Sequence, residues 1–299
     1  MNILSTPGWD EYELLDSGDG RRLERFGTYR LVRPDPQIIW HPRLDKSEWL
    51  KADAEFDAEK KKWIVKKQLP EKWLMRYKNI AFYAKLSPFK HTGVFPEQIL
   101  QWEWMEDRLK VQSFPKGDLS TESKIASEFK VLNLFGYTGI ASLVCASAGA
   151  QVTHVDASRP TIGWARENQA ASNLQNKPIR WILDDAVKFV QREIKRGVRY
   201  DGIIMDPPVY GHGPDGEKWD FNESFPKLLS LCRLALSKKP LFVLINAYAI
   251  SSSALMLKNV LEDYVSDLGG KIEVGELALE EQSAKRLLST GIFARWSRD

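Results

Sequence analysis

The sequence predicts an α/β protein in which a smaller β-rich module, residues 1–115, precedes a doubly wound sheet in residues 116–299. Three observations support this fold class. After about residue 116, short apolar strands alternate with segments of helix length, the connections between them are short, and several strands end in an acidic residue. Such alternation is typical of a mostly parallel sheet that helices cover on both faces.

The C-terminal domain is expected to be seven-stranded. We place its strands at 131–134, 151–155, 179–183, 200–205, 241–245, 272–278 and 291–296, and its helices at 140–148, 160–174, 186–196, 225–237 and 252–268. The helix that begins at 160 has Ser158 as its expected cap and a proline in its first turn, two features that favour a helix start.

The N-terminal module shows short apolar–polar alternations that turn signals interrupt. Strands are expected at 29–33, 37–40, 62–66, 73–77 and 80–86, with a turn at 16–20 and a solvated loop at 55–62. The module holds seven of the 11 tryptophans and could expose an apolar face, which leaves a homodimer open.

The composition is that of an ordinary globular chain, with 43% hydrophobic and 28% charged residues among 299. There is no apolar run of the roughly 18 residues that a membrane span needs, and the N-terminus lacks the basic start of a secretory signal. Cys145 and Cys232 both lie in apolar helical contexts, which favours buried thiols over a disulfide. A cytoplasmic location without membrane contact is therefore expected.

The run Asn133-Leu-Phe-Gly-Tyr-Thr-Gly139 joins the first strand to its helix and suggests a cofactor site. Gly136 and Gly139 lack side chains that would keep a ligand from the backbone amides. The run is not G-x-G-x-x-G, so a tight connection is the competing interpretation. Asp156, which ends the second strand, strengthens the ligand interpretation because a carboxylate there can accept from ribose hydroxyls.

The end of the third strand helps to separate two classes of cofactor. Asp156 alone fits both NAD and S-adenosylmethionine. Asp185 can accept from an adenine amino group, and the small Ala186 beside it leaves room for the ring. The competing interpretation is that Asp184 or Asp185 caps the following helix.

The fourth strand ends in Asp206-Pro207-Pro208, which suits a reacting end. The prolines have no amide donors, so their carbonyls and the Asp206 carboxylate form an array of acceptors that recognises an N–H group. Tyr210 can stack on a planar base. The following segment, 211–216, is expected to be a flexible turn; His212 within it could act as a base, although a surface residue is the commoner role for a lone loop histidine.

These motifs, Asn-Leu-Phe-x-Tyr-Thr-Gly, Val-Asp-Ala-Ser, Asp-Asp-Ala and Met-Asp-Pro-Pro-x-Tyr, resemble those of class I S-adenosylmethionine-dependent methyltransferases. The resemblance covers roughly residues 85–299 and is closest to the branch that modifies large-subunit ribosomal RNA at cytosine C5 or guanine N7. It implies a Rossmann-like methyltransferase sheet and S-adenosyl-L-methionine as cofactor, with no metal. The candidate cofactor-binding residues are Phe95, Gln98, Asn133, Phe135, Gly136, Tyr137, Thr138, Gly139, Asp156, Ala157, Asp185, Ala186 and Asp206, and the candidate catalytic residues are Asp206, Pro207, Pro208 and Tyr210.

Phe95 and Gln98 come from the segment His91-Thr-Gly-Val-Phe-Pro-Glu-Gln98, which resembles the Lys-Thr-Gly-x-(Phe/Tyr)-x-Asp-Gln element of that branch. His91, Pro96 and Glu97 depart from the pattern. Core packing is the competing interpretation for Phe95.

The resemblance also bears on the mechanism, because C5 methylation of cytosine needs a thiol nucleophile. The C5 enzymes of this branch hold it in a Ser-Cys-Ser turn after the fifth core strand, where this chain has Asn246-Ala-Tyr248. Neither cysteine fits the role. Methylation of a nitrogen or of an oxygen remains. Because the acceptors at Asp206-Pro207-Pro208 recognise an N–H group, we expect methylation of a base nitrogen of RNA, possibly ribosomal RNA, without a cysteine nucleophile.

An RNA-binding role is suggested for residues 51–90, which contain 11 Lys or Arg and 5 Asp or Glu. Basic and aromatic residues alternate there, a pattern that suits phosphate contact and base stacking. The competing interpretation is an amphipathic module with buried aromatics and solvated lysines. The interleaved residues are Lys60, Lys61, Lys62, Trp63, Lys66, Lys67, Lys72, Trp73, Arg76, Tyr77, Lys78, Phe82 and Tyr83.

Three alternatives stay open at the level of sequence. The same core could methylate a small molecule or a protein, or the chain could bind a cofactor without activity. An NAD-dependent oxidoreductase is the third, and the Asp185-Ala186 and Asp206-Pro207-Pro208 motifs argue against it.

Overall fold

The computed structural model describes residues 1–111, 129–250 and 252–298. They form two compact units. Unit 1 comprises Met1–Leu4, Leu100–Leu277 and Gly291–Asp299, and unit 2 comprises Ser5–Ile99 and Ala278–Thr290. The division therefore falls at Leu100, and the expected boundary at 115/116 lies outside the described residues.

The strands in chain order are β1 (Asn2–Thr6), β2 (Tyr12–Gly18), β3 (Arg21–Phe26), β4 (Tyr29–Pro34), β5 (Ala54–Asp57), β6 (Lys62–Val65), β7 (Trp73–Tyr77), β8 (Ile80–Ala84), β9 (Lys130–Leu134), β10 (Gln151–Asp156), β11 (Ile179–Leu183), β12 (Gly202–Met205), β13 (Tyr210–His212), β14 (Lys218–Asp220), β15 (Phe242–Ala247), β16 (Lys271–Glu280) and β17 (Leu287–Ser297). The helices are α1 (Lys46–Trp49), α2 (Ile99–Val111), α3 (Ile140–Ser147), α4 (Arg159–Ala171), α5 (Ala186–Lys195), α6 (Phe221–Ala235) and α7 (Ala254–Val265), with 3₁₀ turns at Pro96–Gln98 and Ser266–Leu268.

Unit 1 is built on an eight-stranded sheet with the order β1-β16-β17-β15-β12-β9-β10-β11. The five strands from β15 to β11 run parallel, and β17 is antiparallel to β15. The expected count of seven is wrong because β1 adds an edge strand. This strand is short and half polar and comes from the far end of the chain, so no local pattern pointed to it.

The parallel strands form because their sequences are almost continuously apolar. Every residue of β12 and of β15 is buried, as central strands covered on both faces require. Helix α6 covers part of this sheet with Phe221, Phe225 and Leu228, which recur at helical spacing. It begins at Phe221, four residues before the expected start, because Asp220 caps it by accepting from the amide of Asn222 at 2.9 Å.

Helix α2 was not expected, because its sequence lies in the stretch assigned to the β-rich module. Trp102, Met105 and Leu109 are buried at spacings of three and four residues, which is the period of a helix face. Tryptophan, which occurs twice in this stretch, is common in strands, and packing of one helical face outweighs that preference. None of the helices of the described residues is long and apolar enough to cross a membrane.

Unit 2 contains a five-stranded sheet, β2-β3-β4-β5-β6, and a separate hairpin of β7 and β8. Two expectations for this unit are wrong. Residues 37–40 form no strand, since two prolines precede them and Ile39 is 89% exposed. The expected loop at 55–62 is largely the β5–β6 hairpin, in which Glu55 is paired with Arg21 and Lys66.

Unit 2 also buries two groups of charged side chains. In the first, Glu24 is fully buried and accepts from Arg33 at 2.6 and 2.7 Å and from the Tyr12 hydroxyl at 2.8 Å. Burial would raise the pKa of Glu24, but the charges of Arg22 and Arg33 lower it below its usual range.

The second group, which we call the Asp16 cluster, joins Asp16 to residues from the other end of the chain. Asp16 accepts from Trp49 Nε1 at 2.9 Å and from Ser283 Oγ at 2.6 Å. Glu281 accepts two bonds from Arg286, each 2.8 Å long. Buried carboxylates need such partners, so this cluster fixes the segment between β16 and β17 to the strands of unit 2.

Candidate active site

The turn between β9 and α3 has an unusual backbone. Phe135 and Tyr137 have φ values of 57° and 51°, and Gly139 has a φ of 82°. Residues other than glycine rarely adopt this left-handed region, and such strain is concentrated at functional sites. The amide of Gly136 donates to the carbonyl of Val155 at 3.1 Å, which fixes the turn to the neighbouring strand.

A buried histidine supports this turn from inside the unit. A Cβ atom on Gly136 would lie 2.4 Å from the ring of His154, so the turn can pack there only because residue 136 is glycine. The ring is hydrogen-bonded to Ser142 at 3.0 Å, and Ser142 accepts from Asn133 Nδ2 at 2.9 Å. Burial lowers the pKa of His154 to about 3, so the ring is neutral at physiological pH.

This network changes the expected picture of Asn133. Its side chain is buried and bonded to Ser142, which gives it a role beneath the turn. Sequence reasoning missed Ser142 and His154 because nothing in the local pattern marks either residue. Thr138 is also buried, and its carbonyl accepts from Asn168 at 2.9 Å.

Asp156 stands directly beside the turn. Its carboxylate accepts from the amides of Tyr137 and Ser158, at 2.9 Å each. Burial raises the pKa of Asp156, and within the described part of the chain it has no ion pair. A carboxylate held by two amides and no cation keeps acceptor positions that hydroxyl groups can fill. Ala157 follows it and is partly exposed.

The third strand end shows which aspartate caps the helix. Asp185 is the N-cap of α5 and accepts from the amide of Lys188 at 2.8 Å through Oδ1. Asp184 instead accepts from the amide of Asp185 and pairs with Arg192. The described hydrogen bond of the Asp185 side chain uses one of its two oxygens, and Ala186 beside it is buried.

Strand register brings these residues to one edge of the sheet. Leu134 at the end of β9 is level with Val155 of β10 and with Met205 of β12. Because these strands are parallel, the glycine turn, Asp156 and Asp206 all emerge at their carboxyl ends.

The reacting end begins at Asp206, whose amide donates to the carbonyl of Leu134 at 3.3 Å. Pro207 is buried and Pro208 is exposed. The carbonyl of Pro208 accepts from Trp219 Nε1 at 2.7 Å, so one member of the expected acceptor array already has a donor. The ring of Trp219 lies 4.8 Å from that of Phe135 in the glycine turn, measured between centroids.

The segment after Tyr210 is part of a hairpin, and the expected turn at 211–216 includes its tip. Strands β13 and β14 pair, and the amide of Gly213 closes the tip by donating to the carbonyl of Glu217 at 2.8 Å. Tyr210 is 72% exposed, and its ring is therefore accessible to a planar ligand. His212 is exposed in β13 opposite Lys218.

Phe95 and Gln98 belong to unit 2, whereas the other candidate residues belong to unit 1. Phe95 precedes the 3₁₀ turn Pro96–Gln98 and is partly buried, with its ring 5.2 Å from that of His91. Gln98 is close to fully buried.

Both thiols lie in surroundings that raise their pKa. Cys145 and Cys232 are free and buried. Burial raises the pKa of Cys145 to about 12 and also raises that of Cys232. At the end of β15, Asn246 accepts from Gln101 Nε2 at 3.4 Å.

The aromatic residues of segment 51–90 mostly pack within unit 2. Trp73 and Phe82 are buried, and Trp63 donates its indole N–H to the carbonyls of Ser87 and Phe89. Several lysines have acidic partners: Lys60 pairs with Asp57, Lys66 with Glu55 and Lys67 with Asp53. These contacts favour the packing interpretation for those residues.

Comparison with known proteins adds three relatives. A crystal structure of a SAM-dependent methyltransferase from Agrobacterium tumefaciens is 41% identical, with a TM-score of 0.92 over 100% of this chain and 94% of that chain. A putative SAM-dependent methyltransferase from Streptococcus mutans shares the fold at 16% identity, with a TM-score of 0.72 over 97% of this chain and 76% of that chain. The ribosomal RNA large subunit methyltransferase K/L of Shewanella sp. (strain MR-4) is 34% identical over 111 residues.

The Shewanella match covers 36% of this chain and 16% of the relative, so the chain spans a small part of the curated relatives it matches. No family model matches the chain. The glycine turn with its left-handed residues and the amide-held carboxylate of Asp156 both suit an adenosine cofactor. Similarity over nearly the full length of the Agrobacterium protein leads to the same result: the chain belongs to the SAM-dependent methyltransferases, and S-adenosylmethionine is its cofactor.

Proposed function

We propose that this protein methylates a base nitrogen of RNA, with large-subunit ribosomal RNA as the first candidate, and that it uses no cysteine nucleophile. The observation that carries the proposal is the exposed ring of Tyr210 four residues after Asp206, at the sheet edge that also holds the glycine turn. An accessible aromatic beside a group of acceptors suits a planar base with an N–H to be recognised.

Residues at the ends of β9, β10 and β11 each bind a different part of the cofactor. Asp156 binds the ribose hydroxyls through the acceptor positions that its two amide bonds leave. Asp185 accepts from the adenine amino group through the oxygen that the cap does not use, and Ala186 leaves space for the ring. The backbone of the glycine turn approaches the remainder of the ligand, while the amides of Gly136, Tyr137 and Gly139 already have acceptors within the protein.

When bound, S-adenosylmethionine supplies a methyl group that its sulfonium has already activated. The residues of this chain therefore mainly position the acceptor and exclude water. Tyr210 stacks on the target base, while the carboxylate of Asp206 and the carbonyl of Pro207 accept from its N–H group. Asp206 also stabilises the positive charge that the nitrogen gains as the bond to carbon forms.

The thiols support a mechanism without a cysteine nucleophile, which leaves a nitrogen or an oxygen as the methylated atom; the acceptors at Asp206 favour nitrogen. A nucleophilic cysteine needs a thiolate in reach of the substrate, but Cys145 and Cys232 are buried with raised pKa values. Strand β15 ends in Asn246 and Ala247, neither of which is a nucleophile.

RNA as the substrate class is supported by the curated Shewanella relative, which is a ribosomal RNA methyltransferase by name. In unit 2, Lys61 and Lys62 are exposed at the β5–β6 hairpin and could contact phosphates. Unit 2 is accordingly proposed as the RNA-binding side of the protein.

The test is transfer of labelled methyl groups from S-adenosylmethionine to total RNA, followed by mass spectrometry of the nucleosides. We expect an N-methylated nucleoside that Asp206→Asn abolishes and that Cys145→Ala and Cys232→Ala leave unchanged. Formation of 5-methylcytosine that either cysteine variant abolishes would overturn the nitrogen assignment.

A second candidate is methylation of a small molecule or a protein. The packed aromatics and paired lysines of segment 51–90 favour it, because they reduce the surface available to RNA. Salt-dependent binding of RNA to the whole chain would exclude this candidate. Cofactor binding without transfer to RNA, protein or small-molecule extracts would instead indicate a protein without activity.

A further inference from the structure

Trp219 contacts both halves of the candidate active site of unit 1. Its indole N–H donates to the carbonyl of Pro208 at 2.7 Å, and its ring packs against Phe135 with a centroid distance of 4.8 Å. Phe135 belongs to the glycine turn and Pro208 to the reacting end. The side chain is 6% exposed, so both contacts are shielded from solvent.

We propose that Trp219 is a positioning residue that transmits cofactor binding at the glycine turn to the hairpin that carries Tyr210. The proposal rests on the function proposed above, and it adds what determines the position of the Tyr210 ring that binds the base. It assigns Trp219 no contact with the reacting atoms.

The hairpin gives Trp219 this reach. Strands β13 and β14 pair so that Trp219 of β14 lies opposite Gly211 of β13. Tyr210 is the residue before Gly211 in β13. The amide of Phe221 donates to the carbonyl of Val209 at 2.9 Å and closes the hairpin base. The position of Trp219 therefore determines where the exposed ring of Tyr210 stands.

A second attachment holds the hairpin at its tip, where Glu217 pairs with Lys188 of α5. This pair is at the surface, and exposed pairs of this kind contribute little. Trp219 is the buried attachment of the two, which is why the orientation of the hairpin should depend on it.

The backbone of the glycine turn explains how a ligand could be sensed. Phe135 holds a left-handed φ of 57°, a conformation that a non-glycine residue keeps only when its surroundings enforce it. A cofactor bound at the turn limits the motion of Phe135. Phe135 in turn limits the motion of the Trp219 ring, and the indole hydrogen bond limits the motion of Pro208. Such a transfer of order from one site to another corresponds to a coupling free energy between them. Because coupling is reciprocal, an ordered hairpin also favours cofactor binding.

Trp219→Phe tests the coupling, because it keeps an aromatic ring against Phe135 and removes the bond to Pro208. Amide hydrogen exchange of residues 209–221 is measured with and without S-adenosylhomocysteine. In the wild type we expect the ligand to slow exchange by about fivefold or more, and in Trp219→Phe by less than about twofold. Calorimetry of the wild type and of Trp219→Phe should give dissociation constants for S-adenosylhomocysteine that agree within about threefold.

Two variants serve as controls. Trp296→Phe removes an indole bond of the same length, 2.7 Å from β17 to the carbonyl of Gly269, which belongs neither to the glycine turn nor to the reacting end. Glu217→Gln weakens the attachment at the hairpin tip. Both should keep the ligand-dependent protection of residues 209–221.

The outcomes separate the two proposals. If S-adenosylhomocysteine does not bind the wild type, the assigned cofactor site fails and the role of Trp219 with it. If it binds and the hairpin is protected equally in wild type and Trp219→Phe, or in neither, then only the role of Trp219 is overturned. Loss of protection in Trp296→Phe as well would also overturn it, since any loss of an indole bond would then have the same effect.

Discussion

At the scale of single residues, Asp156 is the side chain whose chemistry most directly links structure to cofactor binding. We expect Asp156→Ala to weaken S-adenosylmethionine binding by at least about tenfold, because hydrogen bonds to a charged acceptor are worth about 1.5–3 kcal/mol. Calorimetric titration measures this loss. Asp263→Ala, which removes an exposed carboxylate on α7, is the control and should leave the affinity unchanged.

The same carboxylate predicts how binding responds to pH. Since burial raises the pKa of Asp156, the group takes up a proton at a higher pH than an ordinary aspartate. The ionised form is the stronger acceptor for ribose hydroxyls, so affinity should fall as the pH drops through this raised pKa. Affinity that stays constant from neutral pH down through the range of an ordinary aspartate would contradict the assignment.

Glu24 in unit 2 allows a test of how much a buried charge contributes to the free energy of unfolding. Glu24→Gln should destabilise the unit by about 3–5 kcal/mol, because Arg22 and Arg33 then lose their buried counter-charge. Glu13→Gln removes a surface pair with Arg25 and should cost less than about 1 kcal/mol. Urea unfolding of both variants gives the comparison.

The pH dependence of this contribution follows from the lowered pKa of Glu24. A carboxylate with a lowered folded-state pKa binds fewer protons in the folded than in the unfolded state at acid pH. Its stabilisation is therefore present above the ordinary glutamate range and is lost only as the pH falls below that range. In Glu24→Gln, this part of the acid sensitivity should be absent.

At the scale of structural elements, the turn between β9 and α3 offers a pair of matched glycine substitutions. Gly136→Ala should destabilise unit 1 by about 1–3 kcal/mol, because its Cβ would lie 2.4 Å from the buried ring of His154. Cofactor binding should weaken with it, since the turn must move.

Gly163→Ala in α4 is the control for that substitution. Apart from its chain neighbours and the backbone of its own helix, no heavy atom of the described residues lies within 4 Å of the added Cβ, and alanine is favoured over glycine in a helix by about 1 kcal/mol. We expect a small gain in stability and no change in cofactor affinity. Equal behaviour of the two variants in urea unfolding and calorimetry would show that His154 does not constrain the turn.

The elements also show what the sequence could predict. Strands β9 to β12 were predictable because each is a short apolar run, and the ends of three could be placed because an acidic residue ends β10 and follows β11 and β12. The aligned carboxyl ends, with the turn, Asp156 and Asp206, follow from these strands. Strand β1 and helix α2 were not predictable, because the first has no local signal and the second carries aromatics typical of strands.

The buried residues that pack against the candidate site could not be predicted, for a related reason. His154 and Ser142 act through contacts with Gly136 and Asn133 that need the folded sheet. Trp219 meets Phe135 across 84 positions of sequence. A pattern read along the chain finds groups that follow a strand, but it does not find side chains that meet only after the sheet has formed.

At the scale of the whole molecule, the net charge of +3 is too small to attract RNA by itself, so local surfaces must decide. If unit 2 binds RNA, Lys61→Glu combined with Lys62→Glu should weaken RNA binding and reduce its salt dependence by about one phosphate contact per lysine. Fluorescence anisotropy over a series of salt concentrations gives both values.

Lys238 and Lys239 provide the matched control, since they are also adjacent and exposed but lie in unit 1. Their double replacement by Glu changes the net charge by the same amount. If both double variants weaken RNA binding equally, overall charge rather than unit 2 attracts the RNA.

The Asp16 cluster has a consequence for how this protein is made. Asp16 and its partner Ser283 are 267 positions apart, so one leaves the ribosome long before the other. At a rate of about 5–20 residues per second, the interval is on the order of tens of seconds. During that time the nascent chain already contains Trp49, which donates to Asp16, but it does not yet contain Ser283. Unit 2 becomes complete only while β17, the last described strand, is being synthesised.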